Sequence, residues 1–106
     1  MRVLLDECVP RKFRKELPGH TVRTIPEMGW TGIKNGVLLT LMVANGFDVL
    51  LTVDQNLRYQ QNLSTYGASI VVVVAPTNRI QDLRPLAPDI LRVLATIQPG
   101  DIIEVP

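Results

Sequence analysis

The sequence predicts an α/β fold: a mostly parallel sheet of about five strands, covered by helices on both faces in three α/β/α layers. Three observations carry this. Short runs rich in Val, Ile and Leu alternate along the chain with segments of helical periodicity. The middle run, Phe47 to Val53, is almost continuously apolar, as a central parallel strand buried on both faces should be. Two runs end in carboxylates: Asp6-Glu7 follows Arg2-Val3-Leu4-Leu5, and Asp54 follows Val49-Leu50-Leu51-Thr52-Val53.

Taken in order, Arg2 to Leu5 reads as the first strand. Pro10 suits the first position of a helix, and Phe13 and Leu17 share a face, so the first helix is expected over Pro10 to Leu17. Pro18-Gly19 ends it, and His20 to Thr24 alternates as a short second strand with Val22 inward. Pro26 to Gly32, which carries Trp30, reads as a loop. Asn35 is placed to cap a second helix whose stripe is Val37, Leu38, Leu41 and Met42, stopped at Asn45-Gly46.

After the central strand, a short helix or turn is expected over Gln55 to Leu63, and Ser69 to Ala75 is the fourth strand. Ile80, Leu83, Leu86, Ile90, Leu91, Leu94 and Ile97 keep helical spacing, interrupted by Pro85 and Pro88. The spacing predicts a turn of helix at Ile80 to Leu83, a main helix from about Pro88, and a last edge strand at Asp101 to Val105.

The 106 residues make one domain, 1–106, with 46% hydrophobic residues and no repeat, linker or low-complexity tract. The longest apolar run, Ile70 to Ala75, is far short of the roughly 20 residues needed to cross a bilayer. No signal-peptide pattern follows Arg2, and the lone Cys8 has no internal disulfide partner, so a reducing cytoplasmic setting is expected. Cys8 itself reads as a small filler beside the acids. The net charge of +1 excludes a global basic field, so any nucleic-acid contact must rest on a local patch.

In an open parallel sheet, ligands bind at the carboxyl edge of the strands. Asp6, Glu7 and Asp54 should all reach that edge, as candidate catalytic and metal-ligating residues. Oxygen donors suit Mg²⁺ or Mn²⁺, whereas zinc would ask for the His and Cys that this chain nearly lacks. The side-chain carbonyls of Asn35 and Asn56 can support the set. Each residue has a plainer use: Asp54 suits a cap for the turn at Gln55, Asn35 a cap for the second helix, and strand-end acids are ordinary solvated groups. Arg11, Lys12, Arg14 and Lys15 cluster just beyond the first acids, with Lys34, Arg58 and Arg79 expected at the same edge. Such a patch can hold phosphates, although a charge cluster is more often a solvated face. Tyr59 and Trp30 can stack on unpaired bases or simply pack. His20 is given no catalytic role.

Leu4-Leu5-Asp6-Glu7-Cys8-Val9-Pro10 resembles the opening of the short bacterial PIN-like domains. Gly29-Trp30, Ile33 to Leu39, and Asp48 to Leu57 are similar to that family's middle segments, in the same order over nearly the whole chain. The resemblance implies a PIN-like α/β/α domain related to Mg²⁺- or Mn²⁺-dependent ribonucleases, which include toxins of toxin–antitoxin pairs. It places Asp6 at the acid after the first strand, Glu7 at the acid usual in this group, and Asn35 at the acid opening the second helix. Asp54 and Asn56 fall on the paired acids after the central strand. Two acidic positions thus hold Asn, which keeps an oxygen ligand but removes a charge. One divalent ion can still be balanced; tight binding of two is in doubt.

The expected function is therefore a metal-dependent endoribonuclease on single-stranded RNA, in which water activated by the ion attacks a phosphodiester. An antitoxin protein is the implied partner, and the apolar surplus and exposed edge strands leave room for a homodimer. Two other readings use the same residues. A non-catalytic PIN-like module would bind a partner protein or nucleic acid, as the two Asn positions favour. A receiver-like phosphoacceptor also places acids after its first and third strands, but it needs a Lys after its fifth strand, and no Lys follows Lys34.

Overall fold

A computed structural model describes residues 1–59 and 66–106, excepting the side chains of Arg58 and Tyr59. Five strands, β1 (Arg2–Leu5), β2 (Thr21–Thr24), β3 (Val49–Thr52), β4 (Ser69–Val73) and β5 (Ile102–Val105), form one sheet in the order β2-β1-β3-β4-β5. Every pairing is parallel, so the sheet is more uniform than the sequence reading required.

The helices cover both faces. Side chains alternate across the strands. Leu4, Leu50, Ile70 and Val72 point to the side of α1 (Asn35–Ala44), where they pack with Leu38, Leu39, Met42 and Phe47. Val3, Leu5, Val49, Leu51, Val71 and Val73 point the other way, onto Phe13 and Leu17 and onto α2 (Ile80–Leu83) and α3 (Ala87–Leu94). All of β3 and β4 is buried, which accounts for their continuous apolar runs. At roughly 1.5–3 kcal/mol for each large side chain withdrawn from water, these two layers supply the main drive to fold.

Several expected elements change in kind or boundary. Residues Arg11–Glu16 form a 3-10 helix, with Phe13 N–H bonded to Pro10 O at 2.9 Å and Leu17 N–H to Arg14 O at 3.2 Å. Enclosed by Pro10 and Pro18, and burying only Phe13 within its span, the segment is too short to gain from α-helical propagation. The loop after β2 contains a further 3-10 turn, Pro26–Met28. The main helix begins at Ala87, with Pro88 in its first turn, where a missing N–H costs nothing. His20, Phe47, Asp48, Val53, Val74, Ala75 and Asp101, expected at strand ends, lie outside β2 to β5. The 3-10 helix Gln55–Tyr59 opens the connection after β3, and the rest of the turn expected there lies outside the described residues.

Asn35 does not cap α1. Lys34 is the cap, in extended conformation, and Asn35 is the first helical residue, because Leu38 N–H bonds to Lys34 O at 2.8 Å. Trp30 stands edge-on to Phe47 with ring centroids 5.9 Å apart, so it is a packing residue of the α1 layer.

No helix among the described residues is long and apolar enough to cross a membrane.

Candidate functional site

The chain leaves β1 toward β2 on one side, then returns to build β3, β4 and β5 on the other. The strand order therefore reverses between β1 and β3, and at such a switch point the loops diverge and open a crevice at the carboxyl edge. Asp6 is the residue after β1, and Asp54 lies two beyond the end of β3. The sheet register puts Leu5 opposite Leu51, and Asp6 N–H extends the ladder to Leu51 O at 2.9 Å. Asp6 consequently stands beside Thr52.

Thr52 is the hub of this seam. It has no solvent exposure, and its hydroxyl donates to Asp6 Oδ2 at 2.7 Å while accepting the N–H of Asp54 at 3.0 Å. A buried hydroxyl is costly unless bonded, and here its two shortest bonds go to the side chain of one acid and the backbone of another. The other Asp6 oxygen accepts Glu7 N–H at 2.8 Å, which fixes the carboxylate plane. Asp54 Oδ1 accepts Asn56 N–H at 3.0 Å, so Asp54 does cap the turn at Gln55 while remaining exposed.

Cys8 completes the buried side. Its thiol lies 3.7 Å from Asp6 Oδ2 and 3.5 Å from Thr52 Oγ1. Burial pushes the thiol's pKa up, and the Asp6 charge adds to that, against hydrogen bonds from Thr52 and Val53 that favour the thiolate. Cys8 is half-buried, packed against the core layer of the 3-10 helix Arg11–Glu16, as a filler should be.

The third acid borders the first. Glu7 is exposed and faces β2, lining a hollow with Asp6, Val9, Arg11, Thr24 and Glu27. Among the described residues, no three His, Cys, Asp or Glu side chains come together as a group able to hold a metal. Asp6 and Asp54 share the seam, and Glu7 shares the hollow on the β2 side with Asp6.

Glu27 enters this hollow through a reciprocal cap at the end of β2. Thr24 N–H donates to Glu27 Oε1 at 2.8 Å, and Glu27 N–H donates to Thr24 Oγ1 at 3.2 Å. Arg14 forms an ion pair with the same Glu27 oxygen. The Thr24 N–H first, and then Arg14, hold the Glu27 carboxyl below the usual range.

Arg11, Lys12, Arg14 and Lys15 line one shallow surface on the first 3-10 helix, but Arg14 is engaged by Glu27, leaving Arg11, Lys12 and Lys15 exposed there. Lys34 and Arg79 are the exposed caps of α1 and α2, and both helices start at the carboxyl edge of the sheet. Asn35, half-buried, begins α1 at that edge; Asn56 is exposed beside Asp54. The expected contacts of Arg58 and Tyr59 lie outside the described residues.

The sequence reading missed Thr52, Glu27 and Asn78, whose Nδ2 donates to the Cys8 carbonyl at 3.0 Å. Thr52 had a legible signal: it is the one hydroxyl in an otherwise apolar central run. Glu27 also had one, since Thr24-Ile25-Pro26-Glu27 has the spacing of a capping box. Asn78 had none, because its partner lies seventy residues away. A separate hollow at the opposite, amino edge holds Asp48, whose carboxylate accepts Arg2 N–H at 2.7 Å and is thereby spent on joining β1 to β3.

The chain matches no protein-family model, no curated protein and no solved structure.

Proposed function

We propose that this chain is a PIN-like, divalent-metal-dependent endoribonuclease acting on single-stranded RNA in the cytoplasm. The observation that supports it most is that Asp6 and Asp54 stand at the topological switch point, with the Asp6 carboxylate and the Asp54 backbone N–H both bonded to the Thr52 hydroxyl. Nothing in the packing of the sheet requires two acids at that seam, whereas a ligand in the crevice would use both.

The donor set fits a hard cation. An ionised carboxylate has about four acceptor sites, and the bonds to Thr52, Glu7 and Asn56 leave both acids with capacity to spare. Their two negative charges balance one Mg²⁺ or Mn²⁺, with Asn56 and Asn35 assigned to orient ligands or water. A bound cation would supply activation of a water and neutralisation of phosphate charge. Asp6 and Asp54 would hold it, and Thr52 would keep Asp6 from rotating away. Arg11, Lys12, Lys15, Lys34 and Arg79 would receive the flanking phosphates, with Glu7 shaping the potential on the β2 side. A toxin role, with an antitoxin as partner, rests on the family resemblance.

The test is calorimetric titration of Mn²⁺ into the wild type and Asp54→Asn, followed by cleavage assays on single-stranded RNA. Saturable binding lost in the variant, and cleavage that chelator, Asp6→Asn and Asp54→Asn each abolish, is the expected result. Cleavage unchanged in both variants would remove the assignment.

One observation favours a second reading. Among the described residues no three His, Cys, Asp or Glu side chains gather as a metal-holding group, and the positions of Asn35 and Asn56 add no charge, so the site is sparsely acidic for catalysis. A non-catalytic PIN-like module binding nucleic acid or protein would retain its partner in chelator and after Asp54→Asn.

A further inference from the structure

The turn between β4 and α2, Pro76 to Arg79, is exposed throughout, yet one side chain ties it to the acid-bearing loop. Asn78 Nδ2 donates to the Cys8 carbonyl across 3.0 Å. Among the described residues this is the one side-chain hydrogen bond between the turn and the loop after β1. Cys8 is two residues beyond Asp6, with its thiol 3.7 Å from Asp6 Oδ2, so the anchor point belongs to the site itself.

The turn is also fixed from its other end. Thr77 Oγ1 donates to Asp82 Oδ2 of α2 and accepts the N–H of Arg79 at 3.1 Å. Arg79 is therefore held at its own backbone by Thr77 and by α2, whose Asp82 and Leu83 N–H groups donate to its carbonyl at 3.0 and 3.1 Å, and the turn as a whole is held to the acid loop, one residue away, by the anchor on Cys8. Consecutive Cα atoms are about 3.8 Å apart, so Arg79 cannot drift from the acid loop while the Asn78 bond stands. Its side chain is exposed and makes no ion pair among the described residues, unlike Arg14 with Glu27 and Arg84 with Glu16.

We propose that Asn78 is a positioning residue: by tying the β4–α2 turn to the Cys8 carbonyl, it holds Arg79 where its guanidinium meets a phosphate of a single strand lying across the Asp6–Asp54 seam. This rests on the nuclease reading and deepens it. The strand is gripped from the β1 side by Arg11, Lys12 and Lys15, and from the β4 side by Arg79. Asn78 contributes no charge and touches no substrate.

The salt dependence of binding separates this role from a merely structural one. For single strands, each phosphate contact contributes about 0.7 to the slope of log affinity against log salt. The probe is a short fluorescein-labelled oligouridylate, titrated with the whole protein in chelator over a salt series. Arg79→Gln should lower the slope by about 0.7 and the low-salt affinity by about tenfold. Asn78→Ala, although it removes no charge, should lower the slope equally, and Asn78→Ala/Arg79→Gln should go no further. Melting temperature and Mn²⁺ affinity should stay at wild-type values. Asn78→Ser, which also lacks the reach to Cys8, should repeat the result if the alanine variant is poorly folded.

A slope unchanged in the Asn78 variants, or additive losses in the double variant, would overturn the inference while leaving the nuclease reading in place. A wild type with no salt-dependent affinity for the probe would overturn both.

Discussion

Thr52 donates its hydroxyl to Asp6 Oδ2 across 2.7 Å, from a position with no exposure to solvent. Thr52 Oγ1 also accepts the N–H of Asp54 at 3.0 Å. One buried atom thus sets the side-chain orientation of the acid after β1 and the backbone position of the acid after β3. The two ends of the seam are coupled through the core rather than through solvent, where competing water would loosen them.

Thr52→Val tests the coupling with little change of shape. It leaves Asp6 Oδ2 without its donor and the Asp54 N–H without its acceptor. Chemical denaturation should show a loss of about 1–3 kcal/mol. Mn²⁺ affinity, read by calorimetry, should fall by about tenfold, while Thr52→Ser keeps both properties. Unaltered metal affinity in the valine variant would show that the acids are positioned without the hydroxyl.

Gly36 offers a different kind of prediction, because its requirement is only apparent. A Cβ there would stand 2.9 Å from the hydroxyl of Tyr66, closer than atoms pack. Yet Tyr66 is 39% exposed and offers only the far end of its side chain, so the ring can swing outward. Gly36 lies in the first turn of α1, where alanine is favoured by up to about 1 kcal/mol. Gly36→Ala should be neutral to stabilising in a thermal melt, with shifted Tyr66 ring resonances in NMR. A loss of stability would mean that Tyr66 is held in place by more than this contact.

The thiol of Cys8 should resist modification near neutral pH. Burial is the largest cause of its raised pKa, so thiolate forms at higher pH than in an ordinary thiol. Alkylation by iodoacetamide, followed by mass spectrometry, should be much slower than for a free thiol at about pH 8 and should accelerate only in stronger alkali. Rapid alkylation at neutral pH would show that the Cys8 pocket opens readily.

What the sequence made legible follows from which forces are local. The strands could be read because β3 and β4 are buried on both faces and must therefore be continuously apolar, and the acids at their ends stood out against that run. The order β2-β1-β3-β4-β5 could not be read from spacing, since loops of similar length serve several crossovers. For the same reason the directions of Glu7 and Asp54 could not be read, since each depends on a turn that periodicity does not describe. The first helix was misjudged in kind because Phe13 and Leu17 keep α-helical spacing, whereas the tight 3-10 winding is imposed by the prolines around them. Asn78 and Cys8 meet only through the tertiary fold.

The Glu27 cap yields a dependence on pH whose direction can be worked out. Its carboxyl is held below the usual range, chiefly by the Thr24 N–H and also by Arg14, so the ionised form binds the folded state more tightly than the unfolded one. Such a group adds stability that is fully present above its unfolded pKa and is lost as pH falls through the lowered folded value. Glu27→Gln keeps an oxygen for Thr24 but removes the charge. At about pH 7 the variant should be the less stable, and the gap should close as pH falls below the ordinary carboxylate range and the wild-type carboxyl protonates. Because Glu27 and Arg14 are substantially exposed, added salt should trim only part of the difference, leaving the share that comes from the Thr24 bond. Denaturant titrations of both proteins across that range measure it, and a gap that widens in acid would show that Glu27 is not stabilised as its anion in the folded chain.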